Sequence, residues 1–232
     1  MKNLILSMAF TLNFPLVAQA ETLRMAVTTS FENSGLADIL LPAINDELDI
    51  QVQLLVVGTG QALTLGAAGD VDAVLVHSRT AEDAFVAAGH ATHRREIMYN
   101  DFVLIGPTAD PAQIAGAETA AEALRKIDET DVIFVSRGDD SGTHKKEREL
   151  WTAAEIATNG TWYREIGAGM GAALNMAAAT DAYLMSDRGT WLSFGNTQNL
   201  TILFQGESQL RNPYGLILVN PEVHPHADTA SA

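Results

Sequence analysis

Apolar and polar positions alternate along this chain in a way that cuts it into short strands and helices. In "TLRMAVTT", Thr22 to Thr29, the apolar residues Leu23, Met25 and Val27 fall at every second position, the period of a half-buried strand. From Asn33 to Leu48 the period changes. Leu36, Ile39, Leu40 and Ile44 recur at helical spacing, with Asn33 or Ser34 as the expected cap. Pro42 lies inside that pattern and predicts a kink or an early end. Ile50 to Val57 reads as a buried strand, Gly58 to Gly69 as a glycine turn feeding a short helix, and Asp72 to His77 as a third strand. A helix near Ala81 to Ala88 follows. This alternation predicts a mostly parallel sheet with helices on both faces.

Arg95 to Pro107 breaks the rhythm. It is a long extended run interrupted only by Asn100-Asp101, and Asn212 to Pro221 is a second run of the same kind. Between them the alternation resumes. Helical patterns cover Ala117 to Ile127 and Ser141 to Ala154, with a strand at Asp131 to Ser136. A glycine-opened helix (Gly167 to Thr180), a strand (Ala182 to Ser186), a short helix (Asp187 to Phe194) and a strand (Leu200 to Gln205) complete it. The expected architecture is α/β and two-lobed. Each lobe is a mostly parallel sheet flanked by helices, and two extended crossings join the lobes beside a cleft. The expected limits are 1–20 for a leader, 21–102 with 206–232 for lobe 1, and 103–205 for lobe 2. No internal repeat is visible.

Length and composition set bounds on function. With 232 residues the chain is long enough for a sizeable core. Its formal charge of −15, from 29 acidic and 14 basic residues, argues against nucleic acid as a partner, because phosphate neutralisation needs clustered Lys and Arg. A small anion is not excluded, since one local pocket can oppose the global field. The absence of cysteine rules out disulfides, thiol chemistry and a lipid-anchored leader. Lys2, the apolar stretch Leu4 to Val17 and the small-x-small site Ala18-Gln19-Ala20 form the pattern of a cleavable export signal. A mature chain starting at Glu21 and a periplasmic location are the expectation. Asn13 and Pro15 weaken the alternative of a short membrane anchor.

Three segments share one chemical design. A strand ends, hydroxyls and glycines follow, and a helix begins: Thr28-Thr29-Ser30, Gly58-Thr59-Gly60-Gln61, and Arg137 to Thr143. Helix N-termini carry unpaired N–H groups and partial positive charge, hydroxyls add neutral donors, and glycine admits close approach. In open α/β sheets such turns sit at the strand carboxyl ends, where ligands bind. Three facing one cleft would hold an oxyanion, and Arg137 would add a charge-assisted contact. Each piece also has a plain alternative. Ser and Thr before a helix usually cap it, and Arg137 can pair with Asp139 or Asp140.

Asp140-Ser141-Gly142 beside His144 suggests a nucleophilic serine. The Gly-x-Ser-x-Gly of a nucleophile elbow is missing, because position 139 is Asp, and the all-β setting of trypsin-like proteases is absent. No metal site is expected. Pro225 breaks helical geometry between His224 and His226, His90 and His93 fall in a loop, and no acidic cluster has ligand spacing. Trp151, Trp162 and Tyr163 read as core or lobe-surface aromatics.

Taken in order, "VTTSFENSGLADILLP", "VVGTGQALTLGAAGDVDAVLVH", "IMYNDFVLIGPTADP", "FVSRGDDSGTHKKERELW", "TWYREIGAGMGAAL", "YLMSDRGTW" and "NPYGLILVNPEVHPH" resemble the tungstate-binding proteins of bacterial ABC uptake transporters. The resemblance runs from about Arg24 to His226. It implies a periplasmic binding protein of the type II two-lobed fold that holds tungstate, and often molybdate, between its lobes and passes it to an ABC permease in the inner membrane. It also implies a monomer with no cofactor and no enzymatic activity. On that resemblance the oxyanion ligands are Thr28, Thr29, Ser30, Thr59, Gly60, Arg137, Ser141, Gly142 and Thr143, with Gly169-Met170-Gly171 as a fourth helix opening. Val27 and Phe31 replace hydroxyl residues of the family pattern, which removes two possible donors. The resemblance further implies a helical tail beyond His226. Were that tail truly absent from the protein, the first lobe would lose apolar cover. Molybdate, sulfate or phosphate on the same scaffold, a serine hydrolase using Ser141, and a sensor subunit are the competing functions.

Overall fold

The computed structural model describes residues 21–228. The export-signal reading of residues 1–20 lies outside the described residues. β1 (Glu21–Thr28) leads through the short α1 (Thr29–Asn33) into α2 (Leu36–Leu48), so the helix expected over 33–48 begins later and a separate short helix precedes it. Gly35 separates the two at φ 74°, a left-handed conformation that costs glycine little. Ser34 secures the break: its hydroxyl donates to Phe31 O at 2.7 Å and accepts from Leu36 N at 3.2 Å. Pro42 does not end α2. It is exposed, as is Asp38, whose carbonyl loses its helical partner on a face open to water.

β2 (Ile50–Val57), α3 (Thr59–Ala68), β3 (Ala73–Val76), α4 (Arg79–Ala87) and β4 (Ala91–Tyr99) continue the first lobe. The second lobe contains β5 (Phe102–Pro107), α5 (Ala120–Thr130), β6 (Phe134–Ser136), α6 (Gly142–Ala153), β7 (Tyr163–Glu165), α7 (Met170–Thr180), β8 (Tyr183–Asp187), α8 (Arg188–Ser193) and β9 (Leu200–Phe204). β10 (Pro213–Val219) returns to the first sheet. The sheet orders are β2-β1-β3-β10-β4 and β7-β6-β8-β5-β9. In each sheet one strand opposes the rest: β10 is antiparallel to β3 and β4, and β5 to β8 and β9. The chain is therefore a two-lobed α/β fold with mostly parallel sheets.

Alternation divides the cores. In β5, Phe102 and Leu104 face one apolar cluster and Val103 and Ile105 the other. In β3, Val74 and Val76 face one side and Leu75 the opposite. Trp151, Trp162, Tyr163 and Phe134 pack in one aromatic group, with Phe134 edge-on to Trp151 at 5.0 Å. In the first lobe, Ile39, Leu48 and Ile97 are exposed.

The first crossing runs as expected from β4 through Asn100-Asp101 into β5. The return differs. β10 lies wholly in the first sheet, and the passage between sheets is residues 205–212, with a 3-10 turn at Ser208–Leu210. An apolar run looks the same in sequence whether it crosses or sits in a sheet. The two passages are tied side by side: Asn100 N donates to Asn212 O at 2.9 Å, and Asn212 Nδ2 donates to Asn100 O at 3.0 Å. α8 docks on the same place. Arg188 N donates to Asp101 O, Gly189 N to Asn100 Oδ1, and Asn100 Nδ2 to Asp187 Oδ2, each at 2.8 Å. His224 and His226 are spent on α3, whose last carbonyls need partners: their Nε2 atoms meet Ala67 O at 3.0 Å and Gly69 O at 2.9 Å.

Candidate functional site

The three strand-to-helix turns differ in how their hydroxyls are used. In the first, Thr28 and Ser30 are buried and their hydroxyls lie 3.0 Å apart, while Thr29 is half-buried. Thr28 occupies the cap position of α1 but makes no capping bond. In the second, Gly58 is the cap of α3. Thr59 is buried with its hydroxyl unpartnered, and Gly60 is exposed. In the third, Thr143 is 1% exposed and its hydroxyl has no partner either. An unpaired buried hydroxyl costs about 1–3 kcal/mol, and these two at helix N-termini are free to meet an acceptor.

The loop before α6 is built to hold Arg137. Gly138 (φ 59°) and Asp140 (φ 56°) both take left-handed conformations. A Cβ at Gly138 would lie 2.7 Å from Glu165 Cβ, so only glycine fits. The resulting twist turns the Asp139 carboxylate onto its neighbours. It accepts from Arg137 Nε at 3.0 Å, from Arg137 Nη2 at 2.5 Å and from Ser141 N at 3.2 Å. Burial works to raise Asp139, but the hydrogen bonds from Ser141 and the charge of Arg137 prevail and hold it below its ordinary value. Arg137 is thus buried and fixed by Asp139, the pairing that sequence alone left open, and this contact uses only part of its donor fork. Ser141 is the cap of α6, its hydroxyl accepting from His144 N at 3.3 Å. The loop ahead of α7 lies against the Arg137 turn through Ala168 N, which donates to Arg137 O at 3.1 Å. Gly169 itself is exposed and Gly171 half-buried.

The lobes meet at Gly142. A Cβ there would stand 2.8 Å from His77 Cε1, 3.3 Å from His77 Nδ1 and 3.4 Å from Thr59 Oγ1. The first residue of α6 in one lobe therefore faces the first residue of α3 and the end of β3 in the other. His77, absent from the sequence-derived set, is central here. Its Nε2 lies 3.0 Å from Ser30 Oγ, and its ring stacks on Tyr214 with centroids 4.6 Å apart. Burial pushes the imidazole down to about 4. The Asn212 side chain opposes that shift in part, and the charge of Arg137 adds to it. The ring is neutral at neutral pH. Tyr214 OH lies 2.6 Å from Ser30 Oγ. Burial, with the nearby Asp187 charge, pushes this phenol up to about 12, so it keeps its hydrogen. One available signal did point to His77, which stands at the carboxyl end of a predicted strand. Tyr214 and Asn212 carry no motif.

Val27 and Phe31, the two departures in the first turn, are buried core residues packed with Leu75 and Tyr214. The serine-nucleophile arrangement is not formed. His144 Nδ1 accepts from Asp140 N at 3.1 Å and its Nε2 faces Glu165 Oε1 at 3.4 Å, so neither ring nitrogen serves Ser141. Among the described residues no group of His, Asp and Glu is placed to hold a metal ion, and no helix is long and apolar enough to cross a membrane. What the arrangement offers is a set of neutral donors and one arginine, which suits holding an anion; the imidazole that does stand beside a hydroxyl is His77, whose Nε2 is 3.0 Å from Ser30 Oγ.

Comparison with known proteins gives the family of this fold. Residues 17–232 match the PBP superfamily domain. A putative ABC transporter anion-binding protein of Haloferax volcanii is 45% identical over 217 residues, covering 91% of this chain and 64% of the relative. The tungstate-binding protein TupA of Peptoclostridium acidaminophilum is 45% identical over 210 residues, covering 90% of this chain and 73% of the relative. This chain thus spans somewhat under two thirds of the first relative and nearly three quarters of the second. Among solved structures, the tungstate ABC transporter protein from Geobacter sulfurreducens superposes with a TM-score of 0.84 at 50% identity, covering 91% of this chain and 90% of that one.

Proposed function

This chain belongs to the PBP superfamily, in the family of those tungstate-binding proteins, and from that premise we propose that it captures a tetrahedral oxyanion, tungstate, between its lobes for an ABC uptake system. The observation that carries the reading is the pair of unpartnered buried hydroxyls, Thr59 and Thr143, at the N-termini of α3 and α6 in opposite lobes, with Gly142 beside Thr59. The donors are Thr28, Thr29, Ser30, Thr59 and Gly60 from lobe 1, and Arg137, Ser141, Gly142 and Thr143 from lobe 2. Lobe 1 is residues 21–101 with 206–228, and lobe 2 is 102–205, a division supported by the two sheets, which put Phe102 at the start of β5 and so in lobe 2.

Binding is closure. The anion meets donors of one lobe and gains those of the other only when the cleft shuts, so it stabilises the closed form by contacts present nowhere else. Asp139 fixes Arg137 and leaves its remaining N–H groups for the anion. Ser141 orders the first turn of α6, and Gly142 admits close approach. The protein acts without a cofactor and makes or breaks no bond. It works as a periplasmic monomer, handing its cargo to an inner-membrane permease.

Molybdate, with the same charge and shape, is the nearest competing ligand. Phosphate would bring a proton and want an acceptor. Asp139 is already committed to Arg137 and Ser141 N, and Asp140 is exposed beside Lys145, which disfavours phosphate. Calorimetric titration of residues 21–232 with tungstate, molybdate, sulfate and phosphate tests the reading. One-to-one binding of tungstate with little response to sulfate supports it. A folded protein that binds none of the four refutes it.

A further inference from the structure

Ser30 Oγ sits at the centre of a three-way junction. Thr28 Oγ1 lies 3.0 Å from it, Tyr214 OH 2.6 Å and His77 Nε2 3.0 Å. A hydroxyl gives one hydrogen and accepts two. If all three bonds form, Ser30 donates to one partner and the other two donate to Ser30. Each of those partners has a single hydrogen to offer: the Thr28 hydroxyl, the Tyr214 phenol and a neutral imidazole. The junction therefore leaves one donor hydrogen over, and hydrogen positions within the network decide where it points.

When Ser30 donates to His77 Nε2, the imidazole carries its hydrogen on Nδ1. That atom is buried and meets no partner at hydrogen-bond geometry. It lies 3.3 Å from the Cβ position of Gly142, which is also 3.4 Å from the unpartnered Thr59 Oγ1. Thr143, whose hydroxyl is likewise unpartnered, is the next residue. Three unsatisfied polar atoms thus gather round the opening of α6. Two are hydroxyls that can donate, and the third is a donor in one of the two tautomers. The Asn212 side chain, with its Nδ2 already given to Asn100 O, lies near enough to favour a hydrogen on the ring.

We propose that His77 is a ligand-contacting residue of the cleft, presenting Nδ1–H to the bound oxyanion while Ser30, Thr28 and Tyr214 hold the other side of the ring in register. This rests on the oxyanion reading above. An anion without a proton, such as tungstate at neutral pH, selects this tautomer, because the other would aim a lone pair at it. The remaining hydrogens of Thr28 and Tyr214 are then spent on Ser30, which makes His77 the outlet of the network toward the ligand.

Long-range proton–nitrogen correlation NMR of the 15N-histidine protein, with and without tungstate, tests this directly. The expected result is the Nδ1–H form of His77 in the complex. A complex with Nε2–H overturns the proposal, while a wild-type protein with no tungstate affinity overturns the oxyanion reading itself. Two substitutions give an independent readout. In His77→Asn the amide nitrogen stands near the place of Nδ1, and in His77→Gln near that of Nε2. With both variants folded by thermal melt, the glutamine variant is expected to lose tenfold or more in tungstate affinity and the asparagine variant to retain most of it. Equal affinities in the two variants would mean that His77 only packs the site.

Discussion

Gly142→Ala isolates lobe closure from folding. Gly142 is the first residue of α6 with an unstrained φ, so alanine fits the helix itself and is the better helix former by about 1 kcal/mol. The added methyl, however, would stand 2.8 Å from His77 Cε1 across the cleft, roughly 0.7 Å inside the normal carbon–carbon contact. His77 cannot retreat cheaply, because Ser30 bonds its Nε2 and Tyr214 stacks on its ring. Overpacking of this kind costs about 1–3 kcal/mol. The cost falls only on the closed form, since the clash is between lobes. Tungstate affinity should therefore drop about 5- to 150-fold, while the melting temperature of the ligand-free protein holds or rises. Gly195→Ala, where a Cβ meets nothing, is the control and should bind like wild type. The assay is calorimetric titration beside a ligand-free thermal melt. Unchanged affinity in Gly142→Ala would refute closure of α6 against His77.

Three other outcomes follow from the same geometry. Arg137→Ala should weaken tungstate binding by about 1.5–3 kcal/mol, the range for a charge-assisted contact. It should also lower the melting temperature, because it strands the Asp139 carboxylate; titration and a melt check both. Ser141→Ala removes the α6 cap and should cost about 0.5–2 kcal/mol of unfolding free energy by denaturant titration, and wild-type Ser141 should not react with a serine-directed phosphonate probe. Burial pushes Glu147 up to about 7, against an ordinary value of 4.5, so the folded state keeps a proton that the unfolded chain has released. Its contribution is complete below about 4.5 and is lost as pH rises to 7. Glu147→Gln should then gain on wild type between pH 4.5 and 8, by up to about 3 kcal/mol, with Tyr163 still donating to the amide oxygen. An offset that does not change with pH would contradict this.

The pattern of the chain carried the two-lobed architecture because the longer strands announce themselves by period and the longer helices by spacing, whereas the three-residue β7 and the five-residue α1 are too short to show either. It failed where a signal is three-dimensional. The break at Gly35 depends on a left-handed residue and a serine that bonds both ways. The path of β10 depends on neighbours that sequence cannot rank. The site shows the same division. Thr28, Ser30, Thr59, Gly142 and Thr143 were legible from hydroxyls and glycines at strand ends. Tyr214 and Asn212 were not, because they reach Ser30 and His77 only when the chain returns to the first sheet; His77 stood at a strand end, but with no motif to single it out. The Arg137–Asp139 pair was legible as a possibility, but its burial was not.

The most direct test of the central claim is a crystal structure of the tungstate complex with an anomalous difference map recorded at the tungsten L3 edge. The account predicts one strong peak within hydrogen-bond distance of Thr59 Oγ1 and Thr143 Oγ1, beside Gly142 and bracketed by Arg137 and Ser30. A tungsten peak on the outer surface of one lobe, from protein that binds tungstate one-to-one in solution, would contradict it.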